Sequence, residues 1–344
     1  EHLGGNAYSY RDAATGIEVH QYGSHIFHTS NEPVWEYVNR FTTFTPYEHR
    51  VYTTHGGEVF PMPINLGTIN QFFRTALSPT EARQLIESQA AEVTGTPRNL
   101  EQKAVSLIGR PLYEAFIRGY TMKQWQTDPT ELDPSIISRL PVRYTYDNRY
   151  FNDPHQGVPT DGYHTWIDRM ADHPHIEVQL GVDFLTDGPY SRDRMTGRIP
   201  IIYTGPIDRY FGYREGALTW RTLDFDQTTE PVSDYQGTTV MNHADPDSPY
   251  TRTHEYRHYH PERDYPTGAT IISRETSRTA TPDDEPYYPV NTTTDRARLT
   301  KYRALARTQT TTHFGGRLGT YQYLDMHMAI AAALTLSRKL NLGD

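Results

Sequence analysis

Gly4-Gly5, a third glycine at Gly23, and the run His25-Ile26-Phe27-His28-Thr29 behind it constrain this chain more than any other stretch. A glycine pair reaches φ > 0 without steric cost and lets backbone come close to a ligand or to other backbone. A turn ahead of a strand is the plain reading of an isolated Gly-Gly. Here two histidines three residues apart follow a further glycine, and contact with a bound group becomes the competing reading. No strand precedes the pair.

A length of 344 residues allows two or three domains and an ample buried core. Charged residues make up 22% and apolar residues 36%, as in a soluble globular chain. The net charge of −9 gives no basic footprint for nucleic acid, so an anionic ligand needs arginines gathered locally. The absence of cysteine excludes disulfides, thiolate metal sites and a cysteine nucleophile. No window approaches about 18 apolar residues, so no membrane span is expected. Tyrosine is abundant, at 26 copies against 12 Phe and 4 Trp. It suits a ligand-lined cleft, and it suits ordinary β-structure equally.

Along the chain, residues 32–41 read as a short helix capped by Ser30 or Asn31, with Pro33 in its first turn. Residues 51–54 and 58–60 form a hairpin around His55-Gly56-Gly57. Ser78-Pro79-Thr80-Glu81 is a capping box opening a helix to about Val93. Helical character continues over 100–107 and 111–119, which makes 67–125 a small helical domain. Residues 128–161 read as loop or broken helix. Strand signals dominate 176–204, a run of antiparallel strands fills 207–290, and helices cover 295–307 and 326–340. Alternating α/β pieces with a helical insert and a separate antiparallel sheet predict a discontinuous α/β fold.

The motif Gly119-Tyr120-Thr121-Met122-Lys123-Gln124-Trp125 carries the strongest chemical signal. Phe116 and Tyr120, four apart, share a helix face, and Trp125 follows. Such a face can stack a planar base, or it can plug a helical core, and spacing alone favours the core. Arginines recur in Ser138-Arg139-Leu140, Trp220-Arg221, Thr251-Arg252 and Gly315-Gly316-Arg317. The planar fork of arginine suits a diphosphate, although most loop arginines are solvated surface charges. His254, His258 and His260 alternate as in a strand, and no metal is expected there without a third ligand and a second shell. Asp325 is a natural N-cap for the last helix, and the dipole of that terminus favours a nearby anion.

Taken together, the opening segment, Gly119 to Trp125, Asp284-Glu285-Pro286-Tyr287-Tyr288-Pro289-Val290-Asn291 and Gly319-Thr320-Tyr321-Gln322-Tyr323-Leu324-Asp325-Met326 resemble the UDP-galactopyranose mutases from end to end. In that family a βαβ unit with a G-x-G-x-x-G turn precedes the glycine pair, and this sequence does not contain it. The resemblance implies an isomerase that interconverts UDP-galactopyranose and UDP-galactofuranose through a reduced-flavin N5–sugar adduct, with FAD as cofactor and NAD(P)H as reductant. It implies catalytic roles for Arg139, Arg252 and His28, with Arg139 on a lid that closes over the diphosphate. Phe116 and Tyr120 would bracket the uracil and Trp125 would flank the sugar. Asn65, Tyr150, Arg221, Tyr288 and Tyr323 complete the substrate contacts, Arg221 by the weaker match. Gly4, Gly5, Asn6, His25, His28, Gly316, Arg317, Asp325 and Met326 would hold the isoalloxazine half of FAD, so that without the βαβ unit FAD is held weakly or not at all.

The layout implied is an FAD-binding Rossmann-like domain (1–32, 153–206 and 310–344), a helical domain with the lid loop (67–152) and an antiparallel sheet domain (33–66 and 207–309). A cytoplasmic homodimer serving cell wall biosynthesis goes with it. Two other readings stand beside this one. A flavin-dependent oxidoreductase of amine-oxidase type shares the glycine segment but needs no arginine clamp, and an inactive UDP-sugar-binding fragment needs no chemistry.

Overall fold

Polar and apolar residues alternate in the second half of the chain, and its strands join an early hairpin in a seven-stranded sheet. Its order is Tyr288–Pro289, Trp220–Glu230, Thr270–Thr279, Arg252–Glu255, Val240–His243, Val51–His55 and Glu58–Met62. Every neighbouring pair is antiparallel except Val240–His243 against Val51–His55, which is parallel. The expected hairpin closes on Gly56 and Gly57, both at positive φ. The computed structural model describes residues 2–137 and 141–340.

The helical unit packs on one end of this sheet. Asn65, Ser78 and Asn99 cap the helices Leu66–Phe73, Pro79–Ala90 and Leu100–Ile108, each side chain accepting from backbone N–H groups of the first turn. Ser78 and Glu81 form the expected reciprocal box, and that helix ends at Ala90, three residues before Val93. A π-helical stretch, Tyr113–Arg118, leads into the helix Gly119–Trp125. Ile69, Ile86, Val105, Ile108, Leu112 and Phe116 bury against Phe60 and Met62 of the hairpin, which ties helices to sheet through one apolar core.

Three smaller sheets complete the α/β fold. Ser9–Arg11 pairs with Glu18–His20, Ile201–Tyr203 runs parallel to Thr312–Phe314, and Phe27–Thr29 and Phe44–Pro46 flank His155–Pro159. The strand His155–Pro159 lies inside the stretch expected to be loop. Its sequence, His155-Gln156-Gly157-Val158-Pro159, lacks apolar alternation, and it is held by partners on both sides. Conversely, of residues 176–204 only Ile201–Tyr203 is a strand. Ile176, Val178, Leu180 and Val182 alternate correctly but remain exposed, and none has a ladder partner among the described residues. A period of two makes a strand only where N–H and C=O groups find a neighbour.

The aromatic cluster of Phe27, Trp35, Phe44 and Trp166 draws residues 33–46 toward the opening segment rather than toward the large sheet, where the sequence reading had put them. The closing helix, Met326–Lys339, lies over this cluster through Met326, Ile330, Ala331 and Leu334. It buries no residue completely.

Candidate functional site

Strand alternation puts Arg252 and His254 on one face of the sheet, and the register sets Arg252 directly opposite Glu275 on the next strand. The helix Gly119–Trp125 crosses that strand and carries Tyr120 to the arginine. Arg252 Nη2 donates to the Tyr120 hydroxyl at 2.6 Å, with the guanidinium carbon 5.9 Å from the ring centre. Burial pushes the Tyr120 hydroxyl up despite the nearby arginine, so it stays a neutral phenol. Tyr288, at the edge of the sheet, stacks on Tyr323 at 5.8 Å, and the Arg317 guanidinium sits 4.7 Å from the Tyr323 ring.

Tyr150 lies within electrostatic reach of Arg252, Tyr288 and Tyr323. Tyr323 is 51% exposed, yet its hydroxyl is crowded enough that desolvation pushes it up. Two guanidinium groups and four tyrosine hydroxyls grouped together suit a ligand with more than one phosphate and a flat ring.

Beside these side chains lies a second set of groups. Gly4 and Gly5 adopt φ of 93° and 54°, and a Cβ on Gly5 would meet nothing within 4 Å. Asn6 follows in the same turn. His28 Nδ1 pairs with Asp153 Oδ2 at 2.6 Å, and its ring stacks on Phe151 at 3.7 Å. The donor atoms of His28, Asp325 and His327 lie within 4.8 Å of one another. Asp325 takes the N-cap position of the closing helix, with Met326 the first helical residue, but its side chain makes no capping bond. His327 Nδ1 is buried and has no hydrogen-bond partner.

His25 Nδ1 bonds to the Gly23 carbonyl at 2.8 Å, and burial lowers its pKa to about 4 against the help of that bond. Gly316, at φ of 69°, turns the chain after Thr312–Phe314 so that Arg317 can donate to the Tyr287 and Leu324 carbonyls.

A family model for UDP-galactopyranose mutase matches residues 115–323 of this chain. The chain belongs to the UDP-galactopyranose mutase family. A model for NAD(P)-binding Rossmann-like domains matches residues 1–41. A probable UDP-galactopyranose mutase from Klebsiella pneumoniae is 45% identical over 97% of this chain and 85% of its own length. A dTDP-fucopyranose mutase from Escherichia coli is 41% identical over 97% and 88%. A crystal structure of reduced UDP-galactopyranose mutase superposes with a TM-score of 0.73 at 14% identity, over 99% of this chain and 87% of that one. Cyclohexylamine oxidase from Brevibacterium oxydans gives 0.53 at 13% identity, over 99% and 92%, so the amine-oxidase fold is shared as a fold.

Within this family member the structure groups Tyr120, Tyr150, Arg252, Tyr288, Arg317 and Tyr323 together. Other candidates stand elsewhere. Phe116 is 3% exposed and makes edge contacts with Phe60, Phe72 and His55 in the helical core. Trp125 packs at the margin of that core. Asn65 is buried as a cap, with Oδ1 accepting from Gly67 and Thr68 and Nδ2 donating to the Pro63 carbonyl.

Arg221 is 1% exposed, and its donors reach Gln124 O, Gln126 Oε1, Ser277 Oγ and Thr279 Oγ1. Arg139 lies outside the described residues. The three histidines considered for metal diverge: His254 pairs with Glu275, His258 with Asp234 and Glu255, and His260 with Glu262.

Sequence reasoning missed Glu275, Asp153, Phe151 and His327. For His327 the signal was its place two residues after Asp325. For Glu275 it was the alternation of Ser273, Glu275 and Ser277.

Proposed function

We propose that this chain interconverts UDP-galactopyranose and UDP-galactofuranose, and the observation that carries the proposal is the Arg252–Tyr120 pair facing Tyr288, Tyr323 and Arg317 across one cleft. Arg252 and Arg317 supply fixed positive charge where the departing diphosphate gains negative charge, and positioned charge of this kind lowers a barrier without reorganisation. The hydroxyls of Tyr288, Tyr323 and Tyr150 add hydrogen bonds to phosphate oxygens. The Tyr120 ring offers a stacking face for the base, and Arg139 closes over the diphosphate.

The Gly5 turn, the positive-φ Gly316, the N-terminus of Met326–Lys339 and the unpartnered His327 Nδ1 fit the flavin half of FAD. Gly4, Asn6, His25, His28, Asp325 and Met326 would hold it. FAD in its reduced form, with NAD(P)H as reductant, would supply the nucleophile toward the anomeric carbon. Asp153 Oδ2 accepts from His28 Nδ1 and so fixes the orientation of that ring. A cytoplasmic homodimer in cell wall biosynthesis completes the reading, and it rests on family membership. The described helices include none long and apolar enough to cross a membrane.

The 41% identity to a dTDP-fucopyranose mutase favours a second nucleotide sugar. Reduced protein supplied with FAD is offered UDP-galactofuranose or dTDP-fucopyranose, and the products are separated by chromatography. Formation of UDP-galactopyranose is expected, and turnover of the deoxythymidine sugar alone would replace the substrate. In calorimetry UDP should bind far more tightly than galactose 1-phosphate. Arg252→Ala should lose about 2–5 kcal/mol of that affinity, as when one member of a charge-assisted pair is cut.

A further inference from the structure

Glu275 lies behind Arg252, a buried carboxylate that is costly to keep in a sheet. It is 1% exposed and charged: burial opposes its ionisation, but the Arg252 guanidinium, then His254 and Thr251, hold its carboxyl below the usual range. A buried carboxylate costs several kcal/mol in desolvation, and an apolar residue would serve the sheet better. Among the described residues its carboxylate oxygens meet Thr251, Arg252 and His254 of the neighbouring segment. Oε1 accepts from Thr251 Oγ1 at 3.0 Å and lies 3.1 Å from Arg252 Nε, and Oε2 accepts from His254 Nε2 at 3.1 Å.

Behind His254 the chain of donors continues. Tyr259 donates to Ser24 Oγ, and Ser24 donates to His254 Nδ1. That order requires a neutral His254 with its proton on Nε2, and burial, opposed by Glu275, lowers its pKa accordingly.

We infer that Glu275 is a positioning residue for Arg252: its carboxylate, itself oriented by Thr251 and His254, sets the plane in which the guanidinium meets the diphosphate. The inference rests on the diphosphate role of Arg252 proposed above. Glu275 lies along the Nε side of the guanidinium, and the contact is an ion pair in which the Nε–H is not aligned on the oxygen. Tyr120 takes Nη2. Among the described residues Nη1 donates to no group, so the end of the fork is kept for a ligand.

The test is a double-mutant cycle on the full chain, read as UDP affinity by calorimetry, with circular dichroism reporting folding. Glu275→Gln should weaken UDP about tenfold, within the range of coupling between charged residues in contact. In an Arg252→Ala background the same change should alter affinity less than about twofold, because non-additivity marks residues that act as a unit. Glu275→Asp should recover part of the loss. Thr251→Val removes one support of the carboxylate at nearly constant volume and serves if Glu275→Gln does not fold. Its smaller loss should likewise vanish in the Arg252→Ala background.

Equal losses in both backgrounds would show a general structural effect and overturn the inference while leaving Arg252 in its role. Arg252→Ala binding UDP like wild type would remove the role and the inference together.

Discussion

Arg221 shows how much a single buried cation can hold. Among the described residues its guanidinium has no carboxylate partner, and burial lowers its pKa to about 10. Its donors go instead to neutral acceptors, among them the Gln124 carbonyl near the end of the helix Gly119–Trp125. A cation at a helix C-terminus satisfies open carbonyls and complements the dipole. Arg221→Ala should therefore cost about 2–4 kcal/mol in urea unfolding, by leaving several buried acceptors unpaired. Arg221→Lys should recover only part, since one ammonium cannot span four acceptors. A change below about 0.5 kcal/mol would mean that the seam does not depend on it.

His49, 5% exposed, sets a pH limit. Burial, with the Arg252 charge second, pushes its pKa from 6.5 to about 3. Between those values the unfolded chain binds the proton and the folded chain does not, so stability present above 6.5 is lost as the pH falls toward 3. Wild type should lose urea stability steadily through that window, and His49→Gln should flatten the slope. Parallel slopes would exclude His49 as a contributor.

Elements whose signals are local were legible in the sequence. The Ser78 box, the Asn31 cap and the Gly56-Gly57 hairpin each depend on residues a few positions apart, and each formed as expected. What required register was not legible. Glu275 meets Arg252 only because two strands pair in one alignment, and nothing in Thr270–Thr279 announces that alignment. His155–Pro159 is a strand because Phe27–Thr29 and Phe44–Pro46 flank it, whereas the better-patterned residues 176–182 have no such flanks. Phe116 and Tyr120 share a helix-period spacing, but Phe116 belongs to the π-helical stretch Tyr113–Arg118 and Tyr120 to the α-helix after it, and they part into core and cleft.

Gly119 explains how the Tyr120 helix seats so close to the sheet. A Cβ there would collide with the Ala244 carbonyl, and Lys123 Nζ meanwhile bonds to the His243 and Asp245 carbonyls at 2.7 and 2.8 Å. Gly119→Ala should cost about 1–3 kcal/mol as overpacking and weaken UDP binding by displacing Tyr120. Unchanged affinity in a folded variant would place the stacking face elsewhere.

At the scale of the molecule, the cleft is assembled from the long sheet, the helical unit and the turn before the closing helix, so no segment of the chain contains it alone. The one parallel join in the long sheet brings Thr54 and His243, 189 residues apart, into contact. The hairpin Val51–Met62 and the helices that follow are made early in synthesis, but the edge they offer waits for a strand beyond residue 239. Closing so distant a pair comes late, because its loop entropy must be met before any contact rewards it. Refolding followed by pulsed hydrogen exchange should protect the amides of Pro79–Ala90 and Leu100–Ile108 before those of Val240–His243, with UDP binding recovered only in the later phase. Simultaneous protection would mean that the sheet nucleates as a whole. If the order holds, the newly made chain spends its longest exposed interval as an open ladder edge at Val51–His55, and there a chaperone or a second nascent copy would find it first.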